Sequence, residues 1–286
     1  LEQEAMTAMQ DKVVLVTGSN TGIGQATALG LAKMGATVLL HGRDPQKSQA
    51  ALEQVKAQSG SSKVELFVAD LSRQAEVRRL AAEVLAKHPR LDVLINNAAL
   101  MPSQRQVGPD GIEMQLAINH LAHFLLTHLL LDAVKASPQG RIVNVSSELH
   151  LRAKLDLDNL QGDSNYGIGG IGHYSETKLM NVMFTFELAH KLAGTAVTCN
   201  TLHPGVIKTE LVRGLPFFVQ AGFRLFAKSV DEGAATSIYV ASSDEGGEVT
   251  GKYFDNRKIA PHNPQADDAA LRAKFWQISA EMTGLA

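Results

Sequence analysis

The stretch KVVLVTGSNTGIG (residues 12–24) decides the fold. Its first half is β-branched and apolar, as in a strand covered on both faces. Its second half carries glycines at 18, 22 and 24 and runs into a helical pattern from residue 22. In such a strand–turn–helix each glycine has its own use. Gly18 permits the tight turn, Gly22 lets backbone approach a pyrophosphate, and Gly24 lets helix and strand pack closely. The helix N-terminus then faces the phosphates. A tight turn without a ligand is the competing reading of an isolated glycine motif, and the flanking strand and helix favour the dinucleotide.

Outward from this loop the alternation continues. Strands are expected at 12–18, 36–42, 63–70, 91–97, 140–147 and 196–205, with GKYFDN (251–256) as a seventh. Helices are expected at 22–34, 46–58, 73–87, 111–135, 173–193 and 231–241. Strict β–α alternation predicts an α/β fold: one doubly wound Rossmann domain over residues 1–286, its parallel sheet of about seven strands covered by helices on both faces. Residues 1–10 read as an N-terminal extension. Two stretches break the rhythm, 148–172 and the phenylalanine-rich 206–230. Both lie beyond carboxyl ends of strands, where open α/β sheets bind ligands.

The 286 residues are 45% hydrophobic and 20% charged, with a net charge of -2. That balance is ordinary for a globular protein and gives no reason to expect nucleic acid. Cys199 is the single cysteine, so no internal disulfide can form; it reads as a buried strand residue. No apolar run reaches the ~18 residues of a membrane span. LEQEAMTAMQ (1–10) lacks the basic start and apolar centre of a signal peptide. The expectation is a soluble, cytoplasmic protein.

The spacing of Gly18, Gly22 and Gly24 resembles the T-G-x-x-x-G-I-G loop of the short-chain dehydrogenase/reductase family, and further pieces follow in order. NNAA (96–99) resembles that family's N-N-A-G, with Ala99 replacing the final glycine. IVNVSS (142–147) resembles the segment ending in its catalytic serine, and HYSETK (173–178) contains Y-x-x-x-K. PGVIKT (204–209) resembles the segment that holds the nicotinamide. GRDPQK, VSSELH, DNLQG and YSETKLMNVMFTFELAHKL look like the retinol-dehydrogenase branch, whose members often carry membrane anchors.

The resemblance implies an NADP-dependent oxidoreductase acting on a lipophilic alcohol or carbonyl. It implies cofactor contacts from Gly18, Asn20, Thr21, Gly22, Ile23, Gly24, Asp70, Leu71, Asn97, Ala98, Tyr174, Lys178, Pro204, Gly205, Ile207 and Thr209. It also implies a catalytic set of Asn119, Ser147, Tyr174 and Lys178. Tyr174 would pass its proton to the carbonyl oxygen. Lys178, one helical turn on and so on the same face, would together with the cationic nicotinamide lower the phenol's pKa, and would bond the nicotinamide ribose. Ser147 would bond the substrate oxygen; strand alternation turns its neighbour Ser146 away. Asn119 would anchor a water leading to Lys178, with a helix-distorting asparagine as the other reading. Homodimers and tetramers are common in the family, and nothing in these residues selects between them.

Cofactor choice is read after strand two, where an acid takes the ribose hydroxyl and an arginine the 2′-phosphate. Asp44 precedes Pro45, which suits a helix N-cap with proline in the first turn. Arg43 follows Gly42, which leaves room for a phosphate, and NADP is expected. The resemblance places Asp70 at the adenine, and its other reading is a helix cap before LSRQAEV.

His120, His123 and His128 share a helix without metal-ligand spacing, so no metal is expected and structural roles are favoured. Met180 and Met183 read as core fillers. Phe217, Phe218, Phe223 and Phe226 suggest a lid over a lipophilic substrate, against a packed amphipathic helix or a membrane contact. The alternative at the level of function is a nucleotide-sensing interaction protein with little turnover.

Overall fold

The computed structural model describes residues 8–164, 166–205 and 229–286. The strands are β1 (Val13–Val16), β2 (Thr37–Gly42), β3 (Val64–Val68), β4 (Val93–Asn96), β5 (Arg141–Val145), β6 (Thr198–His203), β7 (Tyr253–Asp255) and β8 (Lys258–Ile259). They form one sheet in the order β3-β2-β1-β4-β5-β6-β7-β8. Seven strands run parallel, and β8 adds an antiparallel edge. The expected sheet of about seven thus gains a two-residue strand, turned back by Asn256 and Arg257 with positive φ.

The helices are α1 (Gly22–Lys33), α2 (Pro45–Ser59), α3 (Gln74–Lys87), α4 (Ala122–Lys135), α5 (Ile171–Lys191), α6 (Val230–Ser242), α7 (Asp244–Glu248) and α8 (Ala269–Met282). Alternation along the strands sorts them into two layers. Leu15, Leu39, Leu94, Ile142 and Cys199 pack with the buried faces of α3, α4 and α5. Val14, Val16, Val38, Leu40, Ile95, Val143 and Leu202 pack with those of α1, α2 and α6. Cys199 is free and buried, as its strand position suggested.

Three expectations changed for physical reasons. The helix expected from residue 111 begins later: Gly108–Ile112 is a closed turn, with the Gly108 N–H donating to the Ile112 carbonyl at 2.7 Å. A π-helical turn, Leu116–Leu121, then leads into α4. This stretch, Leu116–Lys135, is apolar and long enough to cross a membrane, but 78% of it is buried within the protein. Met9 is 3% exposed and its N–H donates to the Met34 carbonyl at 3.0 Å, so the expected extension is part of the fold by residue 9.

The third change is α8, which was not expected from the sequence. Asp268 caps it, accepting from the Leu271 N–H at 2.9 Å. Phe275 enters a third core cluster with Met180, Met183 and Leu179 of α5 and Leu155 and Leu160 of the 148–172 insertion. Met180 and Met183 are therefore core residues.

Candidate active site

Because the strands are parallel, the ends of β1 to β6 deliver the loops of interest to one edge of the sheet. The strand order reverses between β1 and β4, and that crevice is where such sheets take ligands.

The three glycines behave differently there. Gly18 has φ +62, and a Cβ on it would lie 2.8 Å from the Ala98 Cα. A Cβ on Gly24 would meet the Gly18 carbonyl oxygen at 2.3 Å and Asn97 Nδ2 at 2.5 Å. A Cβ on Gly22 (φ +57) meets nothing within 4 Å. Two glycines thus allow close packing, while the third borders open space that a side chain would fill. Thr21 gives α1 no side-chain cap, and its first turn holds no acid. Asn20, Thr21 and Ile23 complete the loop, with Thr21 exposed and Asn20 and Ile23 partly so. The cradle and the uncapped N-terminus fit a dinucleotide pyrophosphate.

Asn97 and Ala98 brace the loop from β4. The Asn97 amide donates to the carbonyls of Thr17 and Gly18 at 2.8 and 3.1 Å. The Thr17 hydroxyl accepts from the N–H groups of Asn97 and Ala98 at 2.9 and 3.0 Å. Thr17 was missed in the sequence, where only its polarity at the end of an apolar strand marks it. Asn96, by contrast, belongs to the core and donates to Asn144 Oδ1 at 2.8 Å.

After β2, Arg43 and Asp44 are both exposed. Asp44 caps α2, accepting from the Lys47 N–H at 3.0 Å, with Pro45 in the first turn as the sequence suggested. One expectation is corrected here. Gly42 does not leave room for a phosphate, since its Cβ would meet Ser48 Oγ at 2.2 Å and Asn20 Cβ at 2.9 Å. Its lack of a side chain accommodates those residues instead. After β3, Asp70 Oδ1 accepts from the Ser72 N–H at 3.0 Å and the Ser72 hydroxyl at 2.8 Å. It closes a turn, and α3 starts four residues further on, at Gln74; Leu71 beside it is buried.

The centre of the site lies between β5 and α5. The Lys178 ammonium donates to the Val145 carbonyl at 3.0 Å and stands 5.4 Å from the centre of the Tyr174 ring. The buried Ser146 hydroxyl donates to the Lys178 carbonyl at 2.8 Å, which locks that serine against α5. Ser147 is partly exposed and accepts from the Leu149 N–H at 3.3 Å. Strand alternation thus separates the two serines.

Burial shifts both groups of this pair. Burial pushes the Tyr174 phenol above its ordinary range. Burial also pulls the Lys178 ammonium down to about 7. Desolvation disfavours both charged forms and outweighs the one-turn proximity.

Asn119 sits within the π-helical turn. Its side chain accepts from the Leu100 N–H at 2.9 Å and donates to the Leu100 carbonyl at 3.0 Å and Thr177 Oγ1 at 3.1 Å. Its carbonyl accepts from Asn181 Nδ2 at 2.9 Å. Helix distortion and a position beside Tyr174 and Lys178 on α5 therefore occur together, as π-turns near functional residues often show. Asn181 and Thr177 were missed; both are buried polar residues of α5, and among its several polar residues nothing in the sequence singled them out.

The helix α5 is held at its start by a buried charge cluster, also missed. His173 Nε2 lies 2.9 Å from Glu113 and its Nδ1 3.2 Å from Glu176. Glu113 also accepts from the Tyr166 hydroxyl at 3.0 Å and the Leu116 N–H at 2.8 Å. The 148–172 insertion, the π-turn and α5 thus share one carboxylate. Burial opposes charge on His173, but the two carboxylates outweigh it and raise its pKa to about 9.

The three histidines singled out in the sequence, His120, His123 and His128, are structural. His120 is buried between Asn181 and Ser279, and burial pulls it down to about 3. His123 is also buried and pulled down, and His128 Nδ1 lies 2.7 Å from the Phe124 carbonyl. No metal-binding cluster occurs among the described residues. Pro204 and Gly205 follow β6 at the same edge. Ile207, Thr209 and the four lid phenylalanines (Phe217, Phe218, Phe223 and Phe226) lie outside the described residues.

Known proteins match the chain over most of its length. A family profile described as short chain dehydrogenase matches residues 12–216. The human protein Retinol dehydrogenase 14 is 41% identical over 296 aligned positions, covering 97% of this chain and 88% of its own. Human Retinol dehydrogenase 13 is 40% identical, covering 96% and 85%. A solved structure of an uncharacterised protein from Mycobacterium Paratuberculosis superposes with a TM-score of 0.78 at 31% identity, covering 98% of this chain and 96% of that one. The chain belongs to the short-chain dehydrogenase family of oxidoreductases and resembles its retinol-dehydrogenase branch.

Proposed function

We propose that this member of the short-chain dehydrogenase family is an NADP-dependent oxidoreductase that interconverts a lipophilic alcohol and its aldehyde or ketone, with Tyr174 as acid and base. The observation that carries the reading is the placing of Tyr174 and Lys178, one turn apart on α5, against the end of β5. The cofactor supplies or accepts the hydride when bound.

Tyr174 gives its proton to the substrate oxygen in reduction and takes it back in oxidation. Its buried setting supports the protonated form at rest. Ser147, the freer of the two serines, donates to the same oxygen and stabilises charge developing there. Lys178 orients the nicotinamide ribose. Asn119 keeps the 100–102 loop and α5 in register. Gly18 to Gly24, Asp70, Leu71, Asn97, Ala98, Pro204 and Gly205 hold the dinucleotide, joined by Ile207 and Thr209.

The choice of NADP rests on charge. Asp44 is committed to capping α2, so the acid that would favour a ribose hydroxyl is in use. Arg43 beside it is exposed, and an arginine there suits a 2′-phosphate. A lipophilic substrate follows from the retinol dehydrogenases it resembles.

The test is NADPH oxidation and NADP reduction against a panel of long-chain, cyclic and retinoid alcohols and carbonyls, with short aldehydes as controls. Turnover with apolar members and preference for the phosphorylated cofactor are expected. Cofactor binding without turnover on any member would favour a nucleotide-sensing protein instead.

A further inference from the structure

The glycine loop is held from behind by a side chain that none of these steps uses. His41, in β2, is 3% exposed. Its Nδ1 lies 3.1 Å from the Gly18 nitrogen. A backbone N–H can only donate, so Nδ1 accepts and the proton of the neutral ring sits on Nε2. Nε2 then donates to the Ala69 carbonyl, 3.1 Å away. Burial pulls the imidazole down to about 4, which keeps it neutral and Nδ1 free to accept.

The main chain of the same residue grips the next position. The His41 carbonyl accepts from the Ser19 N–H at 2.8 Å, and the His41 N–H donates to Ser19 Oγ at 2.9 Å. Two consecutive amides of the loop, Gly18 and Ser19, are therefore turned inward to β2. The amides that follow, from Asn20 to Gly24, lead to the uncapped start of α1. Through Ala69 the same ring reaches the turn that carries Asp70 and Leu71. One imidazole thus ties together the ends of β1, β2 and β3.

We infer that His41 is a positioning residue for the dinucleotide, fixing the glycine loop through the Gly18 N–H without touching the cofactor itself. The inference rests on the proposed nicotinamide site. Gly18 has φ +62 and lies against Ala98, so its peptide has one tight seat, and losing the acceptor leaves a buried N–H unsatisfied. Affinity falls because the loop must be pulled into place on binding.

Two near-isosteres separate this role from simple core packing. In His41→Asn the amide oxygen stands near the place of Nδ1 and can still accept from Gly18. In His41→Gln the amide reaches the place of Nε2 and serves Ala69 only. The experiment measures NADPH and NADH dissociation constants, KM, kcat and Tm for the wild type, both variants and His41→Ala.

His41→Asn is expected to bind NADPH close to wild type. His41→Gln and His41→Ala are expected to bind about 5- to 30-fold more weakly, with kcat little changed. Hydrogen exchange at the Gly18 amide, read without nucleotide, should be slow in wild type and His41→Asn and faster in His41→Gln. Wild-type affinity in His41→Gln, or losses in Asn and Gln variants that are equal and follow Tm alone, would overturn the inference. A wild type that binds neither nucleotide overturns the nicotinamide reading, and the inference with it. Binding by wild type with equal Gly18 exchange in both variants sinks the His41 role alone.

Discussion

The Lys178 ammonium donates to the Val145 carbonyl at 3.0 Å and faces the Tyr174 ring at 5.4 Å. Its charge is buried without a carboxylate partner among the described residues, and burial pulls its pKa from 10.5 to about 7. The charged lysine therefore costs stability below pH 7, and that cost fades as pH rises from 7 towards 10.5. Lys178→Met is expected to melt above wild type at pH 6, with the difference shrinking by pH 10. The same variant should lose both NADPH affinity and turnover. A Tm difference that is flat with pH would contradict the buried-charge account.

The two serines at the end of β5 should separate by assay. Ser147→Ala removes a donor to the substrate oxygen and is expected to lower kcat by about 10²- to 10³-fold, with little change in Tm. Ser146→Ala leaves the buried Lys178 carbonyl without its partner, so its first effect should be a lower Tm. Equal losses of kcat at equal Tm would erase the distinction.

Arg43 and Asp44 should separate in the same way. Arg43→Ala removes a charge-assisted bond worth about 1.5–3 kcal/mol and should erode the preference for NADPH over NADH by about 10- to 100-fold. Asp44→Ala removes a helix cap and should cost about 1 kcal/mol of stability, leaving the preference in place. Steady-state kinetics with both cofactors, beside a urea titration, reads both outcomes.

The reach of the sequence differed from one residue class to the next. Strands buried on both faces and separated by helices announce themselves in composition, so β1 to β7 and the layer order were legible. Local caps were legible too, because Asp44 and Pro45 act within one turn. The His173, Glu113 and Glu176 cluster was not, since Glu113 and His173 are sixty residues apart and meet only when α5 docks on the π-turn. Gly42 was misread for the same reason: what fills its missing side chain comes from Asn20 and Ser48. Spacing correctly put Lys178 beside Tyr174, but it carries no information on burial, which governs both pKa values. The helix α8 was passed over because it lies beyond the last β–α unit of the alternation, and Phe275 gains its importance from the insertion it meets.

The His173 cluster has a pH signature of the opposite sign to that of Lys178. Its folded pKa, about 9, lies above the ordinary 6.5. The stabilisation is complete below pH 6.5 and is lost as pH rises through 9. The difference in unfolding free energy between wild type and His173→Ala should therefore be largest near pH 6, and smaller by about 3 kcal/mol at pH 10. Denaturant titrations at both values check it, and a constant difference would mean that the imidazole is neutral in the cluster.

The central claim, that Tyr174 moves the proton, is tested most directly by Tyr174→Phe on a substrate the wild type turns over. The ring and its packing remain, and only the hydroxyl is removed. We expect NADPH to bind with wild-type affinity while kcat falls by about 10²- to 10⁴-fold. Near-normal turnover in that variant, with the cofactor bound, would contradict the account.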